Sequence, residues 1–154
     1  MTNGETQAVL TKLFDAFSRR DGEAMASLYA PKATFEDPIF RLQGAEIGRM
    51  WIALTGRSKD LSISYTVAQS AAGRGVVEWT ARYLFAGKRP VENVILSELE
   101  LEDGLIVKQV DRWDFPRWAS QALGAAGSLL GSFEWFRRKV SRDAATRIGL
   151  PAKP

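Results

Sequence analysis

Apolar residues recur at helical spacing at Val9, Leu13, Phe14 and Phe17, up to the basic pair Arg19-Arg20, and predict one amphipathic helix. Asp21 reads as the N-cap of a second, short helix through Met25, Leu28 and Tyr29, closed by Pro31. Residues 33–42 read as extended, and Gly44 opens a third helical stretch carrying Ile47, Met50, Trp51 and Leu54 before Gly56. From there the period changes to two. Residues 61–70 alternate, with Leu61, Ile63, Tyr65 and Val67 on one side, and strands follow at 76–85, 91–101 and, beyond the hairpin pair Asp103-Gly104, at 105–115. Helices first and then a four-strand meander predict an α+β fold. Several strands are apolar on both parities, as in Val91, Val94, Ile95, Leu96 and Leu99. Such a sheet needs cover on two faces, by helices on one and by a second copy of the chain on the other.

Composition narrows the chemistry. With 154 residues, 45% of them apolar, the chain can build one domain with a core. It has neither cysteine nor histidine, which excludes disulfides, a thiolate nucleophile, His-based triads and the usual zinc ligands. Acid–base work therefore falls to Asp, Glu, Tyr, Lys or Arg. The polar, acidic start and the lack of any run near the roughly 20 apolar residues of a membrane span point to the cytoplasm. Charge is uneven: residues 1–115 carry 14 Lys and Arg against 16 Asp and Glu, whereas 116–154 carry 7 against 2. The body has no electrostatic footprint for nucleic acid; the tail is basic.

Within the extended stretch stands Glu36-Asp37-Pro38-Ile39. A residue before proline is pushed out of the α region, so Asp37 is expected in a strand or at its entrance, with its carboxylate aimed by the proline. The same dipeptide also suits a surface turn.

The string Arg20-Asp21-Gly22, then Leu28-Tyr29-Ala30-Pro31-Lys32-Ala33-Thr34-Phe35-Glu36-Asp37-Pro38, resembles that of ketosteroid isomerases. Together with the Gly44 helix and the closing Val110-Asp111-Arg112-Trp113-Asp114-Phe115, it makes residues 7–115 resemble the nuclear-transport-factor-2-like superfamily, in its SnoaL-like and ketosteroid-isomerase branch. The resemblance implies a cone-shaped curved antiparallel sheet wrapped around N-terminal helices, enclosing an apolar cavity, with residues 1–115 as the cone domain. It implies Asp37 as a base at carbon, Asp111 near the carboxylate of SnoaL-like cyclases and epoxide hydrolases, and Trp51, Trp79, Tyr83, Asn93, Ser97, Gln109 and Trp113 as ligand-binding positions. Core packing is the alternative for the aromatic ones.

Two departures limit the analogy. The tyrosine and protonated aspartate that hold the dienolate in ketosteroid isomerases align with Leu13 and with Leu96 or Ser97, so a true steroid isomerase is not expected. What remains is a small hydrophobic ligand handled without a cofactor or metal by Asp37 and Asp111, as isomerase, cyclase or hydrolase. The alternatives are a non-catalytic binding or carrier protein and a scaffold. Residues 116–154 read as an extra amphipathic basic helix, through Leu129, Leu130, Phe133, Phe136 and Val140, packed on the same domain or across a homodimer. An anionic membrane surface is the other partner such a helix suits.

Overall fold

The computed structural model describes residues 1–154. Thr2 accepts the Glu5 amide while the Glu5 carboxylate returns to the Thr2 amide, so α1 (Asn3–Ser18) starts well before the first periodic apolar residue. The Asp21 side chain caps α2 (Gly22–Ala26) through the Ala24 amide. That helix is shorter than expected. Tyr29 and Pro31, read as its end, instead lie in β1 (Tyr29–Glu36), where a register shift between Tyr29 and Thr34 accommodates a residue without an N–H. A turn leads to β2 (Arg41–Gln43) and then to α3 (Ala45–Arg57).

The meander forms as the alternation predicts: β3 (Ser62–Ala71), β4 (Arg74–Phe85), β5 (Arg89–Glu102) and β6 (Leu105–Arg112). The six strands make one unclosed sheet in the order β2-β1-β6-β5-β4-β3. All neighbours are antiparallel except β1 and β6, which run parallel with Phe35 opposite Gln109 and Glu36 opposite Val110. Odd-numbered residues from Gly75 to Ala81 in β4 and from Val91 to Leu101 in β5 point inward and are buried, among them Val77, Trp79, Ala81, Val91, Ile95 and Ser97. Val76, Leu96 and Val110 are half-buried on the outer face, where Arg112 pairs with Glu98 and Lys108 with Glu100.

Rings fill the inner side. Phe17 lies 5.1 Å from both Trp51 and Trp79, and Phe35 lies 5.6 Å from Trp51, centroid to centroid. A second ring cluster sits under α4 (Phe115–Leu123), where Trp118 meets Phe85 and Trp113 and donates its indole N–H to Tyr83. The Asp114 side chain caps that helix through the Arg117 amide. The expected single C-terminal helix is three, because Gly124, with φ of 65°, turns the chain from α4 into α5 (Ala125–Leu130), and α6 (Glu134–Ile148) follows. Phe136, Ser141 and Ala145 of α6 are buried, while Leu129 and Phe133, assigned to its apolar stripe, are exposed. No helix is long and apolar enough to cross a membrane.

The approach of α2 to α3 is set by small residues. A Cβ on Gly22 would stand 2.6 Å from the Ile52 Cα, whereas one on Gly56, in the same helix as Ile52, meets nothing within 4 Å. Gly22→Ala should therefore cost roughly 1–3 kcal/mol of unfolding free energy, since the clash is with backbone. Gly56→Ala should add about 0.5–1 kcal/mol. Urea unfolding followed by tryptophan fluorescence checks both, and equal effects would refute the packing argument.

Candidate functional site

β1 ends at Glu36, so Asp37 lies in the turn that follows it and not in the strand that its proline predicted. The Asp37 amide donates to the Phe40 carbonyl at 3.0 Å and closes this turn. From inside the turn, one carboxylate oxygen, Oδ1, accepts the Ile39 amide at 2.7 Å and the Phe40 amide at 2.6 Å. This is the local hydrogen bonding that Asp offers a turn. The parallel pairing with β6 sets the turn beside Asp111, one residue beyond the last paired positions, Glu36 and Val110.

Asp111 is 4% exposed and sits at the end of a buried polar chain. Its Oδ1 accepts the Ser97 hydroxyl at 2.5 Å and the Gln109 amide nitrogen at 2.9 Å. Behind Ser97, the Trp79 indole donates at 2.8 Å; behind Gln109, Tyr29 donates its hydroxyl to Oε1 at 2.5 Å and accepts the Trp51 indole at 2.9 Å. Oδ2 of Asp111 takes no hydrogen bond, yet no buried side-chain polar atom lacks a partner, so this oxygen reaches the surface of the adjoining pocket.

That pocket, about 290 Å³, is lined by Glu36, Asp37, Pro38, Val110, Asp111, Arg112, Trp113 and Lys153. The Lys153 ammonium stands 2.9 Å from Glu36 Oε1 and donates to the Asp37 carbonyl at 2.8 Å. A larger depression of about 490 Å³ lies on the outer face, along Arg74, Glu98, Glu100 and Lys108, and neither aspartate lines it.

The two aspartates differ in proton affinity. Burial pushes the Asp37 carboxyl from its usual 3.8 up to about 6, against the pull of the Phe40 and Ile39 amides, the Lys153 charge and Trp113. Burial pushes Asp111 up to about 7, against its hydrogen bonds from Ser97 and Gln109, and the Asp37 charge adds to the rise. Burial also raises the Tyr29 phenol well above its usual 10, with the Asp111 charge acting in the same sense.

Of the positions expected to meet a ligand, the fold brings Asp37, Asp111 and Trp113 to one pocket. Ser97 and Gln109 hold Asp111, and Trp51 and Trp79 stand one step further back, inside the ring core. Tyr83 is engaged with Trp118 under α4; Asn93 is buried on the inner face of β5, and its side chain makes no hydrogen bond to Asp111. Behind the carboxylates Phe17 packs against Trp51 and Trp79, and the pocket that both aspartates line lies at the strand ends. Sequence reasoning missed Tyr29, taken for a helix end, and Lys153, for which no local pattern exists.

A family model described as "SnoaL-like domain" matches residues 10–109. A ketosteroid isomerase, so described with reservation, from Kribbella flavida is 24% identical, with TM-score 0.59 over 73% of this chain and 81% of its own. An NTF2-like protein of unknown function from Burkholderia pseudomallei is 18% identical, with TM-score 0.67 over 79% and 98%. An LEH-like epoxide hydrolase from M. tuberculosis is 17% identical, with TM-score 0.63 over 82% and 96%. These likenesses establish the nuclear-transport-factor-2-like fold. An isoleucine–tRNA ligase from Wolinella succinogenes is 29% identical over 132 residues, 84% of this chain, but the chain spans 13% of that protein's length.

A raised carboxyl affinity means that the folded protein keeps a proton the unfolded chain releases. That stability is complete below the unfolded value near 3.8 and is lost as pH rises through about 7. Asp111→Asn removes the loss. From pH 4 to pH 8 the stability difference between variant and parent should shift in the variant's favour by roughly 2–4 kcal/mol, at about 1.4 kcal/mol per pKa unit. Urea titrations at the two pH values measure it; a constant difference would show that Asp111 is not perturbed.

Proposed function

This chain belongs to the SnoaL-like domain family, and on that premise we propose that it binds a small hydrophobic molecule at the ends of β1 and β6 and moves a proton on it, without a cofactor, using Asp37 and Asp111. The observation that carries this reading is the pair itself: adjacent carboxyls, each anchored through one oxygen by uncharged donors, with proton affinities of about 6 and about 7. Near neutrality the lower of the two is mostly ionised and the higher still holds a proton for part of the time. Asp37 is then the base that takes a proton from carbon or from water, and Asp111 the acid that returns one to a carbonyl or epoxide oxygen. Ser97 and Gln109 orient Asp111, and the Trp113 ring, with Pro38 and Val110, supplies the apolar wall for the ligand. Isomerase, cyclase and epoxide-hydrolase chemistry all fit this proton transfer.

A homodimer in the cytoplasm completes the reading. Its support is the outer sheet face, where Val94 is 52% exposed beside half-buried Leu96. The second reading is a carrier of the same fold without chemistry. In its favour, two donors already hold Asp111 and two backbone amides hold Asp37, which is what purely structural carboxyls would look like.

Incubation with a panel of small epoxides and enolisable ketones, read by chromatography and mass spectrometry, separates the two. Catalysis predicts that kcat/KM on any substrate found rises through pH 6, falls through pH 7, and drops about 100- to 10,000-fold in Asp37→Asn and in Asp111→Asn. Turnover that survives both substitutions would remove the assignment. Binding without turnover across the panel would favour the carrier.

A further inference from the structure

The turn that carries Asp37 is gripped from outside by the C-terminal extension. Three successive carbonyls of the turn each accept one side chain from beyond residue 136: Lys153 Nζ donates to Asp37 at 2.8 Å, Arg137 Nη1 donates to Pro38 at 2.7 Å, and the Ser141 hydroxyl donates to Ile39. The Lys153 amide closes the arrangement by donating to Ser141 at 3.0 Å, so α6 and the segment after it are joined over the turn. From inside, the Asp37 carboxylate binds the amides of Ile39 and Phe40, so the same residues are held on both sides. Ser141 is fully buried, and the Arg137 and Lys153 side chains are 12% and 17% exposed, which sets them apart from the solvated charges along α6. Carbonyls in a turn can be satisfied by water; enclosing three of them with side chains from over 95 positions away carries an ordering cost that a passive surface turn does not require.

We propose that Arg137, Ser141 and Lys153 are positioning residues of the candidate site, which hold the Asp37 turn closed so that its carboxyl stays beside Asp111. The proposal rests on the acid–base reading of that pair. The extension lies outside the span that the family model matches, residues 10–109. The charges around Asp37 come from every element packed on it: Glu36 and Arg41 from β1 and β2, Asp111 and Arg112 from β6, Glu134 and Arg137 from α6, and Lys153. Lys153 is balanced by Glu36, and Arg137 by Glu134, so the grip adds little net charge. What it changes is how tightly the turn is shut.

Titration of the chain of residues 1–154 labelled with carbon-13 at the aspartate carboxyls tests this, with the Asp37 and Asp111 signals assigned from Asp37→Asn and Asp111→Asn. Ser141→Ala removes two bonds of the grip and no charge. As the turn loosens and burial is relieved, the Asp37 midpoint should fall by about half a unit or more, and the Ile39 and Phe40 amides should exchange about tenfold faster. Lys153→Met removes a neighbouring cation while Ser141 and Arg137 still hold the turn, so the midpoint should rise; Lys153→Arg should restore it. Shifts of opposite sign cannot come from a general loss of stability. Midpoints and exchange rates equal to those of the parent in both Ser141→Ala and Lys153→Met would overturn the proposal. The titration needs no substrate, so a chain that turned over nothing would end the catalytic reading while leaving this result to be read on its own.

Discussion

The parallel pairing of β1 with β6 is the constraint on which the rest of this molecule depends. Every other pair in the sheet is an antiparallel neighbour joined by a short connection, and such pairs form from local signals. The β1–β6 ladder joins segments over seventy residues apart, with Glu36 opposite Val110, and β2, α3 and the other three strands of the meander lie between them in the chain. Because residues level with one another on neighbouring strands share a face, the step beyond this pair brings Asp37 up to Asp111. A shift of one position would move either carboxyl to the opposite side of the sheet.

Placing two carboxyls together in a largely buried setting is costly, and the chain offsets the cost with uncharged donors. Asp111 takes Ser97 and Gln109, and Asp37 takes two amides of its own turn. The ring core has a second purpose here. Trp51 and Trp79 are packed as core residues, yet each spends its indole N–H on a hydroxyl that in turn faces Asp111 or its partner Gln109. Neutral hydrogen bonds lower a carboxyl's affinity less than an arginine in contact would, and burial outweighs them, so both groups end near neutrality.

Much of the architecture was legible in the sequence because its signals are local. The change of period after Gly56 and the Asp103-Gly104 hairpin follow from side-chain spacing and turn chemistry. Errors arose where tertiary pairing overrode local preference. Tyr29 to Pro31 looks like the end of a helix, but this stretch is recruited to a strand by β6. The expected helix through Leu129 and Val140 is broken between α5 and α6, after Leu130 and before Glu134, and the exposed Leu129 and Phe133 continue the apolar period of α6 in sequence without belonging to its docked face. For the site, the two aspartates could be singled out from the Asp-Pro dipeptide and the closing strand. The depth of the cone could not, since apolar aromatics read alike whether they line a hollow or pack together, as Phe17 does with Trp51 and Trp79.

The consequence for ligand size follows from where space is left. The proposed guest at Asp37 and Asp111 would enter the pocket of about 290 Å³ at the strand ends, which Trp113, Glu36 and Lys153 line. A pocket of that volume lies at the small end of ligand sites. Trp113, on this rim, is itself packed against Phe115 and Trp118 of α4. Leu13 in place of a phenol argues against steroid chemistry on electronic grounds, and the packing of Phe17 on Trp51 and Trp79 leaves the pocket that both aspartates line at the rim of the fold.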